Sequence, residues 1–199
     1  LFVVEKGGKI KIINPDGTFT AFKFGQSNAT LYGFETKIDI HPHPIHWLHF
    51  ENSFSMVVGQ FANAIENTKN LPFIPAPILK NELRADIKKL NNNLSNGYIK
   101  FEVENVFTQK RIFTAYNTET ITNGYSLINF GLGTDVQSKS KKICSIYFSG
   151  NNLTDVTYQS HLSRLKYTAI NNVTNRMGVY NMGKNFSFKI IIPIAASLK

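Results

Sequence analysis

The stretch Thr30-Leu-Tyr-Gly-Phe-Glu-Thr-Lys-Ile-Asp-Ile40 decides how the chain is read. Its even positions are Thr30, Tyr32, Phe34, Thr36, Ile38 and Ile40; Glu35, Lys37 and Asp39 lie between them. Side chains alternate across a strand, so this is one strand with an aromatic, apolar face and a charged face. The same phase returns along the chain. Leu48, Phe50, Phe54, Met56 and Val58 alternate with His49, Glu51, Ser53 and Ser55. Asn81, Leu83, Ala85 and Ile87 alternate with Lys80, Glu82, Arg84, Asp86 and Lys88. Ile99, Phe101, Val103 and Phe107 oppose Lys100, Glu102 and Glu104. Three more runs follow: Ser126 to Val136, Cys144 to Phe148, and Asn185 to Ile194. A weaker hairpin is expected around Asn14-Pro15-Asp16-Gly17, because Asp-Gly between strand-like runs is a turn signal. Helix signals are sparse, and only Asn63–Asn70 and Ser160–Tyr167 could hold a helical turn or two.

The connections alternate in length. His41–Pro44, Lys89–Asn96 and Gln137–Lys141 are short or polar; Gln60–Leu79, Thr108–Thr122 and Asn151–Lys184 are long. In an up-and-down antiparallel sheet, every long loop then falls at one end. Outer-membrane barrels share that asymmetry, with short periplasmic turns and long extracellular loops. The expected fold class is therefore all-β. It is an antiparallel up-and-down sheet of about 7–9 strands, with the loop asymmetry of a transmembrane β-barrel. A soluble sandwich also alternates polar and apolar residues. Here the polar face is densely charged, as a wet lumen would be, and the strands exceed the usual five or six residues.

Composition agrees. The 199 residues are 13% aromatic and 18% charged, which excludes a disordered chain or a coiled coil. A net charge of +9 is carried by no lysine-rich run, so no nucleic-acid partner is expected. Cys144 is the only cysteine, which rules out an internal disulfide and a cysteine-based zinc site. No apolar window is long enough for a transmembrane helix, which leaves a strand-built barrel open.

Ser149-Gly-Asn-Asn-Leu-Thr-Asp155, followed by Tyr158, resembles a signature near the end of TonB-dependent outer-membrane receptors, where it closes the penultimate strand. Tyr180-Asn-Met-Gly-Lys-Asn-Phe186 and the alternating run to Ile194 are similar to that family's final strand, with Lys184 where an Arg is usual. Leu31-Tyr-Gly-Phe-Glu35 is similar to its Gly-x-Glu strand, and Leu71-Pro-Phe-Ile-Pro-Ala-Pro77 to its proline segment before a barrel strand. The four elements stand in family order, in the style of Bacteroidetes-like bacteria. The resemblance implies that residues 1–199 are the carboxy-terminal part of a receptor barrel in the bacterial outer membrane. The full barrel of this class has about 22 strands around a plug. The plug and the TonB box, amino-terminal in the family, are expected outside this sequence. Implied partners are outer-membrane lipid, TonB through that amino-terminal part, and a transported small ligand such as a siderophore, metal complex or glycan. The chain after Ile194, Ala-Ala-Ser-Leu-Lys, departs from the family's terminal aromatic residue.

Several residue groups invite sharper readings. His41-Pro-His43-Pro is stiff, and His46 and His49 fall on opposite strand faces, so an interfacial turn with Trp47 is expected there and no metal. The carboxylates Glu35, Asp39, Glu51, Glu82, Asp86, Glu102 and Glu104 interleave with Lys37, Arg84 and Lys100, which suits cross-strand ion pairing in a wet pore. No Gly-x-Ser-x-Gly elbow accompanies the Ser, His and Asp residues, so no catalytic residues and no cofactor are expected. The candidate ligand mouth comprises Tyr116 and Asn117 from one long loop with Tyr158, His161, Arg164, Lys166 and Tyr167 from another; loop self-packing is the plainer account. Two other classes stand beside the receptor: a non-transporting outer-membrane barrel and a soluble carbohydrate-binding sandwich.

Overall fold

The computed structural model describes residues 2–4, 9–14, 17–22, 27–139 and 141–194, with side chains from residue 27 onward except at Tyr116. The amino-terminal strands are β1 (Phe2–Val4), β2 (Lys9–Asn14) and β3 (Gly17–Phe22). They form a three-stranded antiparallel sheet. The expected hairpin is present, with Asn14 opposite Gly17; Pro15 and Asp16 lie outside the described residues. The main sheet is built from β4 (Ala29–Ile40), β5 (Leu48–Ile65), β7 (Ile78–Lys89), β8 (Leu94–Val106), β9 (Tyr125–Ser138), β10 (Lys141–Asn151) and β13 (Asn185–Ile191). Each pairs antiparallel with the next in sequence, and the short β6 (Thr68–Asn70) pairs with the end of β5. All seven strong strands read from the alternation are there, in up-and-down order.

The register carries one side-chain phase across the sheet. A single rung runs Ile40, Phe50, Leu83, Phe101, Phe130, Gly150, Phe186 across seven strands. Another joins Ile99, Leu132, Phe148 and Phe188. Directly paired residues share a face, so the aromatics expected together do lie together. They are also bare: Phe34 is 60% exposed, Phe101 44% and Phe188 65%. A sandwich would bury such a face between two sheets. The few buried apolar residues are Val58, Ile74, Phe113, Ala115 and Leu127. None of the exposed aromatics just named is among them.

The other face is wet and ion-paired. The rung Asp39, Glu51, Glu82, Glu102, Asn129 sets four carboxylates side by side. Diagonal partners separate their charges. Lys37 Nζ lies 2.8 Å from Glu51, Lys100 Nζ donates to Glu82 at 2.8 Å, and Asn129 Nδ2 donates to Glu102 at 2.8 Å. One rung away, Lys80 meets Glu104 at 2.7 Å. Most of these groups are partly exposed, so solvent screens the pairs and each contributes little to stability. Their effect is to make this face uniformly hydrophilic.

Three sequence expectations need correction. Asn63–Asn70 holds no helical turn: β5 runs on to Ile65, and Glu66 and Asn67, both at positive φ (41° and 67°), turn the chain directly into β6. Both central residues at positive φ are the hallmark of a type I′ hairpin. The last strand pairs only as far as Ile191, not Ile194. In β8, pairing begins at Leu94, before Ile99, and passes an irregularity between Ser95 and Tyr98. There Asn96 sits at φ 49° and its Nδ2 donates to Asp135 at 3.0 Å. The extra residue flips the parity, so Leu94 and Ile99 share one face despite odd spacing.

Candidate functional site

The long connections gather at one end of the sheet, and their backbone groups are tied to one another. Leu71-Pro-Phe-Ile-Pro-Ala-Pro77 contains three prolines and so has few N–H donors of its own. Its carbonyls are used from outside: Gln109 Nε2 donates to Ile74 O at 3.0 Å and to Pro75 O at 2.9 Å. Gln109 is itself held by a bridge to Thr122 that closes the 108–122 loop at its base. The carboxylate of Glu119, 4% exposed, accepts the Phe73 N–H at 2.5 Å on Oε1 and the Phe113 N–H at 2.8 Å on Oε2. One buried charge thus holds two loops, through charge-assisted bonds about twice as strong as neutral ones. Arg164, from the next loop, stacks over the Phe73 ring at 3.8 Å.

The loop that follows β10 begins with the Asn-Asn-Leu-Thr-Asp run. Asn152 is buried at φ 51°, and its side chain is fully used. Its Oδ1 accepts the Val156 N–H at 2.8 Å, and its Nδ2 donates to Val156 O at 2.9 Å and Met182 O at 3.3 Å. Asp155 Oδ1 accepts the Lys184 N–H at 2.8 Å. The motif therefore clasps both ends of the loop between β10 and β13. Within the loop, Arg164–Tyr167 forms a short 3-10 turn, and β11 (Ile170–Asn171) pairs with β12 (Arg176–Met177). Gly178 follows at φ 78°, where a Cβ would lie 2.3 Å from Lys166 O. Only glycine fits there.

Between these loops lies a depression of about 370 Å³, walled by Tyr125, Tyr158, Tyr167 and Tyr180 and floored by Thr120, Thr122 and Lys166. Tyr125 and Tyr158 pack ring on ring at 4.2 Å. Lys166 is 6% exposed; its Nζ donates to Thr120 O at 3.1 Å and Thr122 Oγ1 at 2.6 Å. Among the described residues no carboxylate pairs with it.

The seven residues proposed for the mouth divide. Tyr158, Lys166 and Tyr167 line the depression together, and the Tyr167 hydroxyl also accepts the Thr120 N–H at 3.2 Å. His161 lies behind the wall, 5% exposed, with Nδ1 2.8 Å from Thr122 Oγ1. Burial and the neighbouring Lys166 charge lower its pKa, against the weaker pull of Glu119. Arg164 is turned onto Phe73, and Asn117 is exposed at the 3-10 turn Ala115–Asn117, away from the lining. The Tyr116 side chain lies outside the described residues. Sequence reasoning placed Lys166 at the mouth but passed over Tyr125 and Tyr180. Gly178 and Val179 close over the Lys166 turn, with the Val179 N–H on Leu165 O at 2.9 Å.

No family model matches the chain, and no curated protein sequence matches it. Among solved structures, the fold is similar to that of the copper transporter OprC, with a TM-score of 0.66 and 15% identity. The likeness covers 92% of this chain and 26% of that one, so the chain spans about a quarter of the transporter's length. At this identity the fold is what the two share. The main sheet is an antiparallel segment of a large β-barrel wall.

Proposed function

We propose that this chain is the carboxy-terminal wall of a TonB-dependent transporter in the bacterial outer membrane. The carrying observation is the division of the sheet: a continuous face of exposed aromatic and branched residues backs a face of ion pairs. In water the first face would be an apolar patch of a size that soluble monomers avoid. Against acyl chains it is the ordinary outer surface of a barrel strand, and the charged face lines the lumen. Family order of the sequence elements and the similarity to a copper transporter support transport over adhesion. The plug and the TonB contact belong to a region amino-terminal to residue 1. The cargo is a scarce small ligand, a siderophore, metal complex or glycan, which meets the loop depression walled by Tyr125, Tyr158 and Tyr167. No covalent chemistry is involved.

The test uses the full-length protein in lipid, with Cys144 replaced by Ser. Cysteines placed at Phe34, Phe101 and Phe188 should react with a bilayer-soluble maleimide and resist a charged aqueous one. Cysteines at Lys37 and Glu102 should do the reverse. Equal labelling at the two sets would remove the membrane reading. In cells, site-specific crosslinking should join the full-length protein to TonB; a barrel that never crosslinks and needs no TonB for uptake would be the non-transporting alternative.

A further inference from the structure

At the short-turn end of the charged face, three donors converge that no part of the transport reading uses. Asp39 lies near the end of β4, His41 just beyond it, and His49 one residue into β5. Asp39 Oδ2 is 3.0 Å from His41 Nε2 and 3.4 Å from His49 Nδ1. The two imidazoles meet edge to face, with centroids 4.2 Å apart. One ligand atom from each residue lies within 4.8 Å of the other two. We infer that Asp39, His41 and His49 form a binding site for a borderline divalent transition metal ion.

Geometry is the first reason. Ligands at about 2.1 Å from a metal are separated by roughly 3.0 Å when at right angles and roughly 3.4 Å when tetrahedral. The two Asp39 distances equal those ligand-to-ligand edges. The second reason is the surroundings of His49. Its other nitrogen, Nε2, lies 3.3 Å from Asp86 Oδ2. The ring therefore sits between two carboxylates, with one nitrogen toward Asp86 and the other toward Asp39. That arrangement, carboxylate to imidazole N–H with the opposite nitrogen on the metal, is the usual outer support of a histidine ligand. Asp86 is itself fixed by Arg84 Nε at 2.8 Å.

Two imidazoles and one carboxylate favour zinc-like ions over magnesium or calcium, which prefer oxygen alone. The three donors are a quarter to less than half exposed, and an open depression along His46, Trp47, His49 and Asp86 adjoins them. Water can complete the coordination. The sequence reading against a metal weighed His41 with His43 and His46 with His49. The hairpin instead brings His41 to His49 and leaves His43 against His46, ring centroids 5.2 Å apart. The inference does not depend on transport.

Cobalt(II) titration of the full-length protein in detergent, after stripping with a chelator, tests it. Wild type should develop the visible d–d bands of imidazole-bound cobalt and lose them to added zinc. His41→Ala/His49→Ala should abolish those bands, and His43→Ala/His46→Ala should keep them. Asp86→Asn should weaken binding about 10–100-fold through the outer contact alone. Should the double alanine variant fail to fold, Asp39→Asn keeps both rings and should still lose the bands. Bands that persist without His41 and His49, or that vanish with His43 and His46 instead, would overturn the assignment.

Discussion

Thr122 Oγ1 lies 2.8 Å from His161 Nδ1 and accepts from Lys166 Nζ at 2.6 Å, so one hydroxyl ties two side chains of the neighbouring loop. His161 Nε2 is buried without a hydrogen-bond partner; a carboxylate oxygen of Glu119 is 3.9 Å away. This chain of three side chains from two loops encloses an imidazole whose charged form is disfavoured by burial and by Lys166.

Acid should loosen this end of the molecule. The His161 pKa is lowered in the closed loops, so below the unperturbed value of about 6.5 the opened state binds a proton that the closed state does not. Loop stability is fully present above that value and falls as pH drops through it toward the folded pKa. Hydrogen exchange over residues 152–184 of the full-length protein, corrected for intrinsic rates, should show more opening at pH 5.5 than at 7.5. His161→Asn, whose amide can still bond Thr122 and does not titrate, should be less protected at both values and lose the difference. A pH step that survives in this variant would move the switch elsewhere.

Facing can be tested by arginine placement. Phe130→Arg puts a charge on the aromatic face in mid-strand, which near a bilayer midplane costs about 2–4 kcal/mol. Asn129 is a poor comparison despite its opposite face. It bonds Glu102, and its Oδ1 accepts the Asn152 N–H at 3.0 Å, so its loss would unclasp the following loop. Ser187 is better: it is exposed on the polar face, with only a 2.7 Å hydroxyl contact to Ser149. Ser187→Arg should cost under about 1 kcal/mol, the price of one neutral hydrogen bond. Folding titrations in lipid that give both variants the same loss would mean the faces are exchanged.

Asn152→Ala should free the β10–β13 loop without unfolding the wall. Three hydrogen bonds go, and the half-buried Val156 N–H is left unpaired, about 1 kcal/mol for that group alone. Alanine at φ 51° adds strain. Limited proteolysis should cut between 156 and 182 in the variant and not in wild type, with the strands remaining resistant. Asn152→Gly, which removes the strain and keeps the lost bonds, should be intermediate. If Asn152→Ala resists the protease as wild type does, Asn152 is not the clasp.

The sheet was legible because period two survives in nearly every strand: Tyr32, Phe50, Phe101 and Phe188 keep one phase through 150 residues of intervening chain, and register follows from burying or exposing a whole face at once. Two of the three corrections have local causes. Glu66-Asn67 forms a type I′ turn without the glycine that usually announces one, and Asn96 adds a residue that shifts the parity of β8. The loop site was half legible. Tyr158, Lys166 and Tyr167 stood out in a long polar loop, but no periodicity relates them to Tyr125 or to Tyr180. Those neighbours are brought in by long-range contacts, such as the Tyr125–Tyr158 ring pair, which leave no pattern in the sequence.

Glu119 offers the most direct test that the loops form one body. Its two oxygens take N–H groups from Phe73 and Phe113, which belong to different connections. In Glu119→Gln one oxygen becomes an NH2 group, and one of the two N–H donors must then face another donor. Such a buried mismatch costs about 1–3 kcal/mol, and the surviving bond is neutral and weaker. Between its ends, which bond Gly59 and Phe107, the 71–77 segment is held by Glu119, Gln109 and the Arg164 stack, so the effect should cross between loops. Amide exchange at both Phe73 and Phe113 should accelerate in the full-length variant. Gln109→Ala, which removes the bonds to Ile74 and Pro75 carbonyls, should act on the same opening, so the two substitutions together should cost less than the sum of the singles. Strict additivity, or acceleration confined to Phe113, would show that Glu119 stabilises only its own loop and that the mouth is assembled from independent parts.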